Sequence, residues 1–164
     1  TLNEIMSTVQ NEYECYECKF NPNYHSFHYL TENNEEIYYY TCPMDSIKYD
    51  DPDGFIKHVH LELQNNQKPW IWIIDLECFG LALARYNNMH NTILKIIDFY
   101  SRILLKKVII INQTFYSRCI INYSWYSSLP KYIKAIIIFD KNNYFSTLLN
   151  IDEKLNALQL KLTF

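Results

Sequence analysis

Beyond residue 23, short continuous apolar runs alternate with longer stretches in which apolar residues recur every three or four positions. The runs have the length of strands and the stretches have the period of helices. Residues 26–30 and 37–42 are aromatic-rich and flank the polar stretch Thr31-Glu32-Asn33-Asn34-Glu35-Glu36, which predicts a β-hairpin. Asp51-Pro52 supplies an N-cap followed by proline at the first helical position. Phe55, Val59 and Leu63 then fall at i, i+4 and i+8, so a helix is predicted to about residue 65. Residues 71–74 form a continuous apolar run ending at Asp75, the pattern of a central strand covered on both faces. Met89, Ile93, Ile97, Tyr100 and Leu104 sustain a helical stripe, with Asn87 or Asn88 placed to cap it. This is the longest predicted helix.

Residues 108–111, ending at Asn112, and residues 136–139 read as two further apolar strands. Between them residues 115–127 are dense in aromatics and are closed off by Pro130. Residues 144–149 and 153–162 read as weakly capped helices. The first 23 residues are the least regular part, with a short helix through Leu2, Ile5 and Val9 and a loop at Asn21-Pro22-Asn23. The expected organisation is therefore an amino-terminal arm over 1–23 and a single domain over 24–164. Apolar strands alternating with crossover helices predict an α/β fold, a mostly parallel sheet with helices packed on it. Ligands of such sheets sit beyond the carboxyl ends of the strands, here marked by Asp75, Asn112 and Asp140.

Composition narrows the function classes. The 164 residues are 49% hydrophobic and 20% charged, a folding composition and one domain's length. Only two glycines occur, Gly54 and Gly80, so no glycine-rich loop can bring its backbone against a phosphate; GxGxxG, the P-loop and GxSxG are all excluded. Fifteen basic against eighteen acidic residues give a net charge of -3, and no basic run exceeds Lys106-Lys107, so nucleic acid is not expected as a partner. The apolar runs fall far short of the roughly 20 residues that span a bilayer, and no signal peptide opens the chain, so a cytoplasmic protein is expected, in transient contact with membranes at most. Five cysteines, an odd number without a secretory signal, favour reduced thiols over a disulfide framework.

The side chains with reactive chemistry are few. Cys15 and Cys18 with His25 and His28 make a CxxC followed by HxxH, the donor types of tetrahedral zinc. The six-residue gap is wrong for the common zinc fingers and His28 falls in a predicted strand, so no metal is expected there and surface thiols are the favoured reading. His58 and His60 lie two apart on a helix and face different directions, so they share no metal and should be solvent-facing or half-buried. Asp75 has the position of a general base, yet no motif puts a histidine or second carboxylate beside it, and an aspartate there more often caps the next turn. Cys78 nearby reads as a buried small apolar side chain. No enzymatic activity is expected.

Several segments together carry a resemblance. The run 70–80, Trp-Ile-Trp-Ile-Ile-Asp-Leu-Glu-Cys-Phe-Gly, resembles a strand ending in Asp-Leu-x-Gly with one extra residue. The run 99–107 resembles Tyr-Pro-Glu-Arg-Leu-Gly-Lys, residues 108–112 an Ile-Ile-Asn strand, and 148–155 a closing Leu-Leu-x-x-Ile-Asp-x-x-x-Leu. In this order, over about residues 24–160, the segments resemble the CRAL-TRIO, or Sec-fourteen-like, lipid-binding family, without its usual amino-terminal helical subdomain. The resemblance implies an α/β sheet flooring an apolar pocket, closed by a gate helix over 115–127. It implies a site formed by Trp70, Trp72, Ile74, Tyr100, Ile103, Ile109, Ile111, Phe115, Ile120, Tyr123, Lys134 and Ile137. Trp70 and Trp72 stand where phosphoinositide-transfer members carry hydroxyls, and Ile103 stands where they carry the headgroup-binding glutamate. A lipid or other hydrophobic ligand without that headgroup is therefore expected. The alternative is a divergent member with a filled pocket that docks a protein. The STAS-type module has a similar strand, but its Asp-Ser-x-Gly is absent here.

Overall fold

The computed structural model describes residues 15–121 and 125–140. The helices expected over residues 1–10, 144–149 and 153–162 lie outside them. Within them the strands are β1 (His28–Glu32), β2 (Ile37–Thr41), β3 (Trp70–Asp75), β4 (Leu105–Ile111) and β5 (Ile137–Phe139). The helices are α1 (Tyr16–Phe20), α2 (Pro52–Leu63), α3 (Leu81–Ala84), α4 (Asn87–Ser101), α5 (Phe115–Ile120) and α6 (Lys131–Lys134). The fold is α/β, as the alternation predicts.

The five strands form one sheet in the order β1-β2-β3-β4-β5, with β1 antiparallel to β2 and every other pair parallel. Because each parallel crossover steps to the next strand in the same direction, right-handed connections place their helices on one face. The packing agrees. Trp70, Trp72, Ile74, Val108, Ile110 and Ile137 share a core with Phe55, Val59 and Leu63 of α2, Met89, Ile93 and Ile97 of α4, and Ile133 of α6. The alternate residues Ile71, Ile73, Ile109 and Ile111 form a separate cluster on the other face, joined by Leu30, Tyr38 and Tyr40. All six β3 residues are buried, which is why its sequence shows no polar alternation.

Local signals explain most element ends. The Asp51 carboxylate accepts from Gly54 N–H at the start of α2, with Pro52 at the first helical position. The expected cap of α4 differs: Asn87 and Asn88 lie inside its first turn, and Tyr86 takes the N-cap position with no side-chain bond. There the turn closes through Met89 N–H and His90 N–H onto the Tyr86 carbonyl. Strand β4 begins three residues earlier than its apolar run, because Leu105 is buried while Lys106 and Lys107 are exposed. The segment 115–127 holds the six-residue α5 and a 3-10 turn (Tyr126–Ser128), with residues 122–124 outside the description. No helix among the described residues is long and apolar enough to cross a membrane.

Candidate functional site

At the carboxyl ends of β3 and β4 the sheet opens into a cavity of about 360 Å³. Ile74 and Ile110 from the strands line it, with Phe79, His90 and Ile93 and with Ile120, Ile121 and Trp125. The turn carrying Phe79 passes through Cys78, which is exposed rather than the buried small apolar side chain expected there and adopts the left-handed region, φ 58°, a conformation that costs a non-glycine residue roughly 1 kcal/mol. Asn112, after β4, adopts φ 54°, which its short polar side chain tolerates better.

Asp75 is fixed at the end of β3. Its Oδ1 accepts from Glu77 N–H (2.9 Å) and Asn112 Nδ2 (3.0 Å), and its Oδ2 accepts from the Tyr40 hydroxyl (2.5 Å). Burial, reinforced by that carboxylate, holds the Tyr40 phenol far above its ordinary range. The bond to Glu77 N–H is the turn cap that the sequence favours, and three donors tie the carboxylate into the sheet edge.

Two buried polar atoms on the cavity lining, His90 Nε2 and Trp125 Nε1, have no hydrogen-bond partner among the described residues. Such orphans are uncommon in folded chains and invite a polar group of a ligand or a water. Burial lowers the His90 pKa. The unfolded chain, with the ordinary value near 6.5, therefore takes up the proton first. The His90 contribution is fully present above about pH 6.5 and is lost as pH falls through the folded-state value. His58 and His28, also lowered mainly by burial, act in the same direction. Denaturant midpoints at about pH 7.5 and pH 5.5 should fall less in His90→Gln than in the parent protein; equal falls would contradict the assignment.

The structure distributes the residues nominated from the sequence over several places. Ile74 and Ile120 line the cavity. Trp70, Trp72, Tyr100 and Ile137 lie buried in the core between sheet and helices. The Tyr100 hydroxyl meets His60 Nδ1 across α2 and α4. Ile109 and Ile111 point to the opposite face of the sheet, and Ile103 and Phe115 are exposed. Lys134 Nζ donates to the Ser127 carbonyl (3.1 Å) and sits over the Tyr126 ring. Tyr123 lies outside the described residues. His90 was not nominated from the sequence; its place beside Met89 at the border of the α4 stripe was the available signal.

A second constellation lies toward the β1-β2 edge of the sheet, where the first turns of α2 meet the segment before β1. Cys15, Cys18, His25 and His58 bring one donor atom each to within 4.8 Å of one another. Cys15 precedes α1 and Cys18 lies one turn on, so both sulfurs reach the same side. His25 Nδ1 stands 3.6 Å from each sulfur. Its Nε2 meets Asp51 Oδ2 at 2.8 Å, so the α2 cap residue also orients this ring. Burial opposes ionisation of Asp51, but the bonds from His25 and Gly54 N–H hold its carboxyl below the ordinary value. His58 Nε2 donates to the Phe27 carbonyl (2.7 Å), and its Nδ1 is buried without a partner among the described residues. Burial pushes the Cys18 thiol up to about 11.

These positions correct two expectations. Cys15 is buried rather than a surface thiol, and His58 is 5% exposed rather than solvent-facing. The reason for the second is on the helix wheel. His58 stands three residues after Phe55 and next to Val59, on the apolar stripe, whereas His60 is turned some 200° away and is exposed. His28 begins β1 with its ring 5.5 Å from that of Tyr40 and takes no part in the cluster.

No protein-family model matches the chain, and no curated protein matches it.

Proposed function

We propose that this chain is a non-enzymatic binding module that takes one hydrophobic small molecule into the cavity between α4, the segment around α5 and the carboxyl ends of β3 and β4. The observation that carries the reading is the cavity itself: about 360 Å³, largely apolar in lining, at the strand ends where α/β sheets bind ligands. Its size lies near the lower end for small-molecule sites, roughly 300–1,000 Å³. It holds about a dozen groups the size of a water molecule. That suits one acyl chain or a compact ring system better than both chains of a phospholipid. Each methylene buried there gains about 0.8 kcal/mol over water, and His90 Nε2 and Trp125 Nε1 supply the polar contacts that would orient a headgroup oxygen. In this reading the chain is a divergent CRAL-TRIO-like module whose ligand is a single-chain lipid or similar molecule. The order of the strand motifs and the one-sided helical cover support it.

The test is equilibrium uptake of a fluorescent single-chain fatty acid by the parent protein and by Ala84→Trp, which projects an indole into the cavity from α3. Saturable uptake at one probe per chain, reduced at least about tenfold in Ala84→Trp, a difference of about 1.4 kcal/mol, is expected. No uptake by the parent protein, or equal uptake by the variant, would sink the reading. The weight would then move to docking of a protein through apolar side chains that stand exposed, Leu81 and Phe115 among them.

A further inference from the structure

The two cysteines and two histidines that converge on α2 are independent of the cavity. We infer that Cys15 Sγ, Cys18 Sγ, His25 Nδ1 and His58 Nδ1 form a closed tetrahedral zinc site that clamps the segment before β1 onto α2.

Three observations carry this. The first is distance. Zinc bonds of about 2.3 Å to sulfur and about 2.0 Å to nitrogen, at a tetrahedral angle, put sulfur and nitrogen about 3.5 Å apart. His25 Nδ1 stands 3.6 Å from both Cys15 Sγ and Cys18 Sγ. A thiol to imidazole hydrogen bond accounts for one such contact, and a neutral Nδ1 cannot accept ideally from two thiols at once.

The second is the outer shell. A zinc-bound histidine almost always donates its other ring N–H to a carboxylate or a backbone carbonyl, which fixes the tautomer and aims the free lone pair at the metal. Both partners are present: Asp51 Oδ2 on His25 Nε2, and the Phe27 carbonyl on His58 Nε2. The third is His58 Nδ1, a buried nitrogen with no partner among the described residues, and the one that the Phe27 bond leaves as the lone-pair atom. A cation at the centre of the cluster satisfies it.

The donor set selects the ion and its role. Two thiolates with two imidazoles suit zinc, and hard cations such as magnesium or calcium take oxygen ligands instead. With four protein ligands no position is left open for water or substrate, so the site is structural. Gly54 belongs to the design. A Cβ there would lie 2.1 Å from Asp51 Oδ2 and 2.8 Å from His25 Nε2, so only glycine lets Asp51 cap α2 and hold His25 together.

The experiment uses the full chain, produced without a chelating tag in zinc-supplied medium and kept reduced. Elemental analysis should give one zinc per chain. X-ray absorption at the zinc edge should give two sulfurs at about 2.3 Å and two nitrogens at about 2.0 Å. Cobalt(II) exchanged into the site should show thiolate charge-transfer and tetrahedral ligand-field bands. His58→Gln should lose stoichiometric zinc on passage over a chelator, while His28→Gln keeps it. A reduced parent protein that neither carries zinc nor takes up cobalt(II), a donor set other than two sulfurs and two nitrogens, or zinc lost in His28→Gln but kept in His58→Gln would overturn the assignment. The first two readouts come from the parent protein, so a variant that fails to fold leaves the test intact.

Discussion

Replacing Trp72 by alanine is expected to remove about 3–5 kcal/mol of folding stability. That is a large share of a typical domain's roughly 5–15 kcal/mol, so the unfolding midpoint should drop markedly. Trp72 is fully buried at the centre of β3. Its ring lies 5.6 Å from that of Phe27 and 6.4 Å from that of Phe55, so truncation opens a cavity between sheet and α2 that neighbouring aromatics cannot fill without leaving their own stacks. The indole N–H also donates to Thr41 Oγ1 at 2.7 Å, and its loss leaves a buried hydroxyl without that partner. Denaturant titration followed by circular dichroism measures the loss. A change below about 1 kcal/mol would show that the site collapses freely and that the core is not packed as described. Because Trp72 sits away from the cavity lining, loss of ligand in this variant would follow from loss of the fold. Substitutions at Ala84 or Ile120 are the ones that address binding.

At the zinc site proposed above, Gly54→Ala should weaken binding by about 10–100-fold, the usual effect of losing the group that orients a ligating histidine. The added methyl overlaps the Asp51 carboxylate, which must swing off both the α2 terminus and His25. For stability the effects oppose. Alanine inside a helix gains up to about 1 kcal/mol over glycine. Loss of the cap costs about 1 kcal/mol, and a buried imidazole N–H left without its carboxylate costs about 1–3 kcal/mol. The net expectation is a loss of about 1–3 kcal/mol. Competition with a metal-binding dye reads the first quantity and denaturant titration the second. A variant as stable as the parent with unchanged zinc affinity would show that Asp51 does not hold His25.

How much of this was legible in the sequence depended on how local its cause was. The strands at 71–74, 108–111 and 136–139, the hairpin and the Asp51-Pro52 helix start follow from period and capping chemistry within a few residues, and each is present. The Asn87 cap was misjudged because α3 delivers the chain to Tyr86 already turned, so backbone bonds close the first turn. The cysteine pair and His25 were visible as a CxxC and a histidine. Spacing groups them with His28 in a pattern from which no metal is expected, whereas the fold brings His58 from α2, and only its place on the apolar stripe beside Val59 points there. A cavity does open at the carboxyl ends of the strands, but its lining follows from three-dimensional packing. Side chains on one strand split between faces, so Ile74 reaches the cavity while Ile109 and Ile111 serve the other side of the sheet.

The central claim is that the cavity at the ends of β3 and β4 holds a hydrophobic molecule, and mass spectrometry of the full chain tests it most directly. Protein incubated with mixed single-chain and two-chain lipids is measured intact under native conditions, then again after organic extraction, with Ala84→Trp in parallel. The account predicts one adduct of single-chain size on the parent protein, removed by extraction and absent from the variant. An apo mass under all conditions, or the same adduct on Ala84→Trp, would contradict it.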